Sequence, residues 1–250
     1  MAEQTLPDYV LDPNAVLGDT AASWRYGRAP DYSKTREFFE KTKTTSHPAT
    51  SLESLVQNLV KNWEIEASFK TSLDDWRTIN PQTYTFSLNG GPARPGEHML
   101  QVGTYNALIN ANEYYDPEQN DFEASHKSFK RMMPTFAWEV KEVYCGPPVV
   151  VARWRHWGVM KSDYVGKNSR GEVVRVKAHG GLIDIEGIVV AKVNEKLQLE
   201  KIDVWFDPME MFRQIAREEK GAEQGPDESA AAAAAGDLAN ACPVMQAGRE

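Results

Sequence analysis

Apolar residues recur with a helical period just after the first 50 residues of the chain. The repeating positions are Leu52, Leu55, Val56, Leu59, Val60 and Trp63. Thr50 and Glu53 have the spacing of a capping box, which is typical of the start of a helix. The pattern therefore predicts an amphipathic helix that starts near residue 51.

Two more helices are predicted before the middle of the chain. Glycines and prolines at 90–95 precede a segment that predicts a helix over residues 96–109. Another helix is predicted over residues 121–133, where Phe122, His126, Phe129 and Met133 share one face and Pro134 ends the segment. A histidine on such an apolar face is more often a core residue than a catalyst.

From Phe136 onward the period changes from helical to two, which is typical of strands. Strands are predicted at residues 136–144, 149–160, 172–178, 182–193 and 197–206. Helices followed by a run of adjacent strands favour an α+β fold with a mostly antiparallel sheet backed by helices.

The strand at 149–160 carries the first candidate chemistry. Trp154, His156, Gly158 and Met160 fall on one face. An imidazole beside a glycine suits a pocket wall, because glycine lets a ligand approach the backbone and histidine can exchange a proton near neutral pH. The alternative is a hydrogen-bonded histidine of the sheet.

The final strand offers two carboxylates around an indole, because Asp203, Trp205 and Asp207 share a face. Partial burial there would raise the pKa of a carboxyl group toward values useful for proton transfer. Alternatively, Asp207 simply caps the short helix that follows, with Pro208 at its first position.

Composition narrows the function class. The net charge of −8 and sequence pI of about 5.3 come mainly from the two chain ends, so the near-neutral body lacks the basic surface of a nucleic-acid-binding protein. No membrane span or leader is recognisable, so a cytoplasmic protein without a membrane partner is expected. Motifs of metalloproteases, serine hydrolases and nucleotide-binding proteins are missing, and the histidines have no metal-ligand spacing. No metal and no cofactor are expected.

The two ends differ from the body. Residues 1–50 mix turn formers with aromatic residues, which predicts an arm that packs on the body. Residues 51–216 would form the main domain. Residues 217–250 are rich in alanine and acidic residues, which predicts a disordered tail.

Several segments, in order along residues 9–215, carry a family resemblance. They are DPNAVLGDT at 12–20, SWRYG at 23–27, PDY at 30–32, LVQNLVK at 55–61, INP at 79–81, YNAL at 105–108, FAWEV at 136–140, RHWG at 155–158 and WFDP at 205–208. Together they resemble the pathogen-related proteins of plants and fungi, a SnoaL-like group of the nuclear-transport-factor-2-like superfamily.

The resemblance implies an α+β cone, in which a curved, mixed or antiparallel sheet encloses a ligand cavity and often forms dimers. The segment from Asp207 to Ile215 is also similar to the ending of the SnoaL polyketide cyclases, in which the matching aspartate is the acid/base of a cofactor-free aldol closure. Their assisting histidine is replaced here by Met160, and His156 lies on the same strand face four residues earlier.

Three hypotheses follow from these observations. The first is a cofactor-independent lyase, isomerase or cyclase for a hydrophobic aromatic or polyketide-like molecule, with Asp207 as the acid/base and His156 as a proton partner or oxyanion donor. The second is a non-catalytic protein of defence or stress that binds a hydrophobic ligand in the same cavity. The third is a scaffold that acts through its sheet face and acidic tail. A homodimer formed by the body of the chain, rather than by the tail, is expected. The expected ligand-binding residues are Trp154, Trp205, Asp203, Trp63, Tyr105, Asn106, Met160 and His126.

Overall fold

The computed structural model describes residues 5–217. The predicted tail, except for Arg217, lies outside the described residues. Seven α-helices are present in the described part, and no helix there is long and apolar enough to cross a membrane. They are α1 (Asp8–Leu11), α2 (Ser33–Thr42), α3 (Leu52–Phe69), α4 (Gly96–Val102), α5 (Thr104–Leu108), α6 (Phe122–Met132) and α7 (Pro208–Ile215).

Six of the eight strands form one sheet in the order β2-β1-β8-β7-β4-β3. All neighbours pair antiparallel except β1 and β8, which pair parallel. The strands are β1 (Thr85–Leu88), β2 (Arg94–Pro95), β3 (Ala137–Cys145), β4 (Val149–Val159), β5 (Tyr164–Lys167), β6 (Val173–Val176), β7 (Leu182–Val193) and β8 (Leu199–Trp205), of which β5 and β6 form a separate hairpin. Register shifts in the β3/β4 and β7/β8 pairs bend the sheet.

This architecture confirms the predicted α+β class, with a mostly antiparallel, mixed sheet on which helices pack. The strands predicted at residues 136–206 correspond to β3, β4, β6, β7 and β8. Three short strands were not predicted. The four-residue β1 and β5 and the two-residue β2 are too short for alternation to stand out, and β1 is held in place by pairing with β8, far along the chain.

The long helix α3 packs against β3 and begins one residue later than the predicted capping box. The hydroxyl oxygen of Ser51 accepts a hydrogen bond from the backbone N–H of Ser54 at 3.3 Å, so Ser51 rather than Thr50 caps the helix. Val56, Leu59 and Trp63 of its apolar stripe are buried, as the period predicted.

The single helix predicted over residues 96–109 is divided into α4 and α5. Gly103 lies between them with φ of +88°, a conformation that only glycine adopts without strain. A Cβ atom at this position would lie 2.9 Å from the Phe122 ring of α6, so the break also allows α6 to pack closely.

The N-terminal segment packs on α3 and the sheet. The side-chain amide of Asn62 donates to the carbonyl oxygens of Tyr9 and Asp12 at 2.9 and 2.7 Å. The ammonium of Lys70, fully buried, lies 2.6 Å from the Asp19 carboxylate and 2.8 Å from that of Glu66. Removal of one partner from such a buried pair typically costs about 3–5 kcal/mol, so these contacts fix the segment firmly.

Candidate functional site

A cavity of about 160 Å³ lies between α3 and the face of the sheet on which Trp154 and His156 lie. Helices α2 and α5 form its other walls, and its surface is mostly apolar. The lining residues are Tyr32, Thr35, Arg36, Val60, Lys61, Trp63, Glu64, Thr104, Tyr105, Leu108, Ile109, Phe136, Trp138, Trp154, His156, Ile185, Val189, Ile202, Val204, Phe206 and Met211.

The volume of this cavity limits what it can hold. An engineered apolar cavity of about 150 Å³ in another protein binds benzene. At about 160 Å³, the cavity of this protein has room for one aromatic ring with small substituents, without movement of its walls. A multi-ring molecule would have to extend out of the cavity or displace its walls.

His156 is the polar group that the sheet contributes to the cavity. Its Nδ1 lies 2.7 Å from the carbonyl oxygen of Ala137 on the neighbouring strand. A carbonyl oxygen only accepts hydrogen bonds, so Nδ1 carries the proton and Nε2 is the bare nitrogen of the neutral ring. Burial lowers the pKa of His156 to about 4. At neutral pH Nε2 is therefore a hydrogen-bond acceptor and cannot donate to an oxyanion.

A carboxylate from α3 also faces the cavity. The oxygens of Glu64 accept hydrogen bonds from the Tyr32 hydroxyl at 2.6 Å and from the Lys130 ammonium at 3.1 Å. Burial alone would raise the pKa of Glu64, but these two partners hold it below its usual value. Glu64 is therefore a charged acceptor at one side of an otherwise apolar site.

A lysine of α3, Lys61, also lines the cavity next to Val60. Only 5% of the residue is exposed, and within the described chain its Nζ has no hydrogen bond or ion pair. The Nζ atom lies 3.2 Å from the centroid of the Phe39 ring. Burial, with the nearby Arg36 cation, lowers the pKa of Lys61 to about 6. The cation–π contact with the ring stabilises the ammonium by only about 0.5–2 kcal/mol. This is less than the solvation energy that the ammonium loses on burial, so the amine is largely neutral at pH 7.

Sequence reasoning missed Glu64 and Lys61, although the signal was present. Lys61 and Glu64 directly follow Val60 and Trp63, two residues of the apolar stripe of α3. The two polar residues therefore border that stripe. The helical period by itself predicts only that the stripe faces the core. Tyr32 and Arg36 were missed because α2 was not predicted.

Asp207 lies outside the cavity, which corrects the expectation that it could meet His156 there. Its carboxylate accepts from the backbone N–H of Met209 at 2.9 Å and pairs with the Arg213 guanidinium. More than half of its side chain is exposed. The alternative interpretation of Asp207 as the cap of α7 is confirmed.

Asp203 and Trp205 are also on the wrong face of β8 for a cavity role. Ile202, Val204 and Phe206 line the cavity instead, so the alternating side chains point away from it. Trp205 is 45% exposed and packs against Gly90. The sequence pattern defined the two faces correctly, but the apolar face, not the carboxylate face, turned out to be inside.

The other predicted wall residues divide into two groups. Trp154, Trp63 and Tyr105 line the cavity. Asn106 does not, since its buried amide donates to the carbonyl oxygens of Val102 and Asn120 and its oxygen accepts from the Tyr115 hydroxyl.

Met160 and His126 are core residues that do not line the cavity. Met160 is fully buried beyond the end of β4. His126 packs among the rings of Phe69, Tyr105 and Phe122, and burial lowers its pKa to about 4. Packing explains Met160, whereas the Nε2 atom of His126 is buried without a hydrogen-bond partner among the described residues.

Gly158 does not serve ligand approach, contrary to the expectation from its place beside His156. A Cβ atom at this position would lie 3.2 Å from the Cα atom of Phe136, so the missing side chain makes room for the adjoining chain. Phe136 in turn contacts the imidazole of His156, with ring centroids 3.4 Å apart.

No group of three or more potential metal ligands is found within residues 5–217. Two larger clefts, of about 710 and 650 Å³, lie elsewhere. Arg77 and Lys196 border the first, and Arg94 and Asn106 border the second. Neither cleft contains His156, Glu64 or Lys61.

The backbone of this protein is similar to that of several solved structures over part of its length. A proposed SnoaL-like polyketide cyclase from Jannaschia sp. CCS1 is 15% identical, with 58% of this chain and 78% of that chain covered and a TM-score of 0.36. IdmH, a proposed polyketide cyclase from Streptomyces antibioticus, is 14% identical, with 64% and 97% covered and a TM-score of 0.37. A ketosteroid isomerase-like protein from Catenulispora acidiphila, solved with trimethylamine, is 7% identical, with 66% and 97% covered and a TM-score of 0.36. Similarity at this level says nothing about the chemistry of the cavity.

A relative by sequence is much more informative. No family model matches the chain. The pathogen-related protein of Hordeum vulgare, however, is 30% identical over 198 residues, which cover 76% of this chain and 80% of the relative. Identity of this extent confirms the family that the sequence segments indicated. The chain belongs to the pathogen-related protein family.

Proposed function

We propose that this protein binds a small, single-ring hydrophobic molecule that carries a hydroxyl group. One observation carries the proposal: an apolar cavity of about 160 Å³ contains the edge of a neutral imidazole whose Nε2 can only accept. A ligand without a donor would leave that nitrogen unpaired and buried, which costs about 1–3 kcal/mol. A hydroxyl group on the ring would donate to it.

The location of Asp207 supports binding rather than the chemistry of the polyketide cyclases. A general base must come within hydrogen-bond reach of the proton it removes. The carboxylate of Asp207 is engaged outside the cavity by Met209 and Arg213. The size of the cavity also argues for a single ring rather than a polyketide.

Titration with phenol-type ligands tests the proposal. Trp63, Trp138 and Trp154 line the cavity, so a bound ring should change the tryptophan fluorescence. Phenol and 4-methylphenol should bind more tightly than their methyl ethers, because only the free hydroxyl donates. Binding of a two-ring naphthol with equal affinity would contradict the size limit.

Two neighbouring valines of β7 provide a matched pair of variants. Val189 lines the cavity, whereas Val190 is the adjacent residue in the strand and faces the other side of the sheet. Val189→Phe should fill the cavity and abolish binding, and Val190→Phe should leave binding unchanged. Equal behaviour of the two variants would place the ligand elsewhere.

A role in defence or secondary metabolism, homodimer formation and a cytoplasmic location stay predictions from the sequence. Sedimentation of the full chain would test the dimer.

A further inference from the structure

Lys61 is the one lysine of the described chain that lines the cavity. It is 95% removed from solvent, since only 5% of the residue is exposed. Its Nζ touches the face of the Phe39 ring and keeps a small contact with solvent, and no carboxylate or carbonyl oxygen of the described residues accepts from it. A buried lysine without an acceptor is uncommon, because burial of a charged ammonium is costly unless it is paired.

The groups around Lys61 explain why its amine is available for chemistry. Across from it, α2 presents the Arg36 cation and the Glu40 carboxylate, Lys43 follows directly after α2, and β3 presents Glu139. The two carboxylates are engaged by other partners: Glu40 pairs with Lys43, and Glu139 with Arg155. None of these groups forms an ion pair with the Lys61 ammonium, so burial dominates and favours the uncharged amine.

We infer that Lys61 forms a reversible imine with an aldehyde or ketone group of the molecule that occupies the cavity. This inference rests on the proposed function, because it requires that the cavity bind a small ring. The bare amine is the nucleophile that carbonyl compounds require, and lysines desolvated in apolar pockets are used in this way. In the structure Nζ lies against Phe39, which does not line the cavity, so the reaction requires the flexible four-carbon stem of Lys61 to turn Nζ toward the cavity.

The reaction is balanced without an oxidant or a further reactant. The lone pair of Nζ attacks the carbonyl carbon, a C–N bond forms, and the carbonyl oxygen takes up one proton from the amine. The resulting hydroxyl leaves with the second amine proton as water, and the nitrogen lone pair closes the C=N bond. Water returning to the site reverses the sequence.

Reductive trapping tests the inference on the full-length protein. The probe is 4-hydroxybenzaldehyde with cyanoborohydride, and the matched control ligand is 4-hydroxybenzyl alcohol, which has the same ring and hydroxyl but no carbonyl group. After proteolysis, mass spectrometry of the peptides locates the stable hydroxybenzyl group. At pH 7 we expect Lys61 to be labelled at least about tenfold more than the exposed Lys41, because its amine is already neutral.

Two further results are expected. Labelling of Lys61 should rise between pH 5 and 7 and then level off, since the pKa of the amine is about 6. An excess of 4-hydroxybenzyl alcohol should suppress it at least about fivefold, because both molecules compete for one cavity. Lys61→Met should lose the label, and Lys41→Met should keep it.

The possible failures are distinguishable. If the benzyl alcohol changes the tryptophan fluorescence but Lys61 of the wild-type protein stays unlabelled, the imine is refuted and the binding function stands. If neither probe affects the fluorescence, the binding function itself fails. Labels spread over surface lysines, with no preference for Lys61 and no protection by the alcohol, would also overturn the inference. The peptide map of the wild-type protein decides these cases even if Lys61→Met folds poorly.

Discussion

The Nδ1 atom of His156 lies 2.7 Å from the carbonyl oxygen of Ala137, and this contact determines which nitrogen of the imidazole carries the proton. Ala137 and His156 are on adjacent strands, where Ala137 pairs with Trp157 in the ladder. The backbone of β3 therefore sets the tautomer of a side chain on β4. Because Nε2 is left bare, we expect the site to prefer a ligand that donates a hydrogen bond.

Replacement of His156 by phenylalanine should remove the preference for a hydroxyl group. A neutral hydrogen bond contributes about 0.5–1.5 kcal/mol, so the affinity for phenol should fall about three- to tenfold while that for its methyl ether stays nearly constant. Isothermal titration calorimetry with both ligands measures the difference. An equal loss for the two ligands would mean that His156 shapes the cavity but does not bind the hydroxyl.

The neutral histidines should make the fold sensitive to acid. The pKa values of His156 and His126 are lowered to about 4, against about 6.5 in the unfolded chain. The unfolded state thus binds more protons between pH 6.5 and 4, and each histidine removes up to about 3 kcal/mol of stability over that window. Urea unfolding between pH 7 and 4 measures this.

His156→Gln provides the control for the pH effect. Glutamine does not titrate, and its side-chain N–H can still donate to the carbonyl oxygen of Ala137. This variant should lose less stability on acidification than the wild type, by an amount similar to the contribution of one histidine. An identical pH dependence in the two proteins would show that His156 is not neutral in the folded state.

Asp207 should matter for stability and not for ligand binding. Asp207→Ala removes the cap of α7 and should lower the free energy of unfolding by about 1 kcal/mol, whereas Asp207→Asn retains a capping oxygen and should cost little. The phenol affinity of both variants should stay within about twofold of the wild type. A loss of tenfold or more would restore Asp207 as a candidate for the site.

Lys61→Met should stabilise the protein at neutral pH. The pKa of Lys61 is about 6 in the folded chain and about 10.5 when unfolded, so protonation of the unfolded state destabilises the fold below pH 10.5, with the full effect below pH 6. The wild type should gain about 2–3 kcal/mol between pH 7 and 9, and Lys61→Met should lack that gain. Chemical unfolding at pH 7, 8 and 9 measures it, with Lys41→Met as the exposed control. A gain of the same size in Lys61→Met would disprove the neutral amine.

The helices and strands that depend on local pattern could be predicted from the sequence. The stripe of α3, the capped α6 and the alternation along β3, β4, β7 and β8 reflect side chains that sort between core and solvent every 3.6 or two residues. The break at Gly103 and the strands β1, β2 and β5 could not be predicted, because they are short or depend on partners distant in sequence.

The sequence by itself determined the family, the α+β class and which residues of each strand share a face. Only the tertiary structure decided which face of β8 is inside, and this replaced Asp203, Trp205 and Asp207 with Ile202, Val204 and Phe206 in the cavity wall. It also brought Lys61 and Glu64 of α3 opposite His156 of β4. The physical reason is that alternation fixes relative direction along one strand, whereas the inside of a cavity is defined by how helices and strands far apart in sequence pack together.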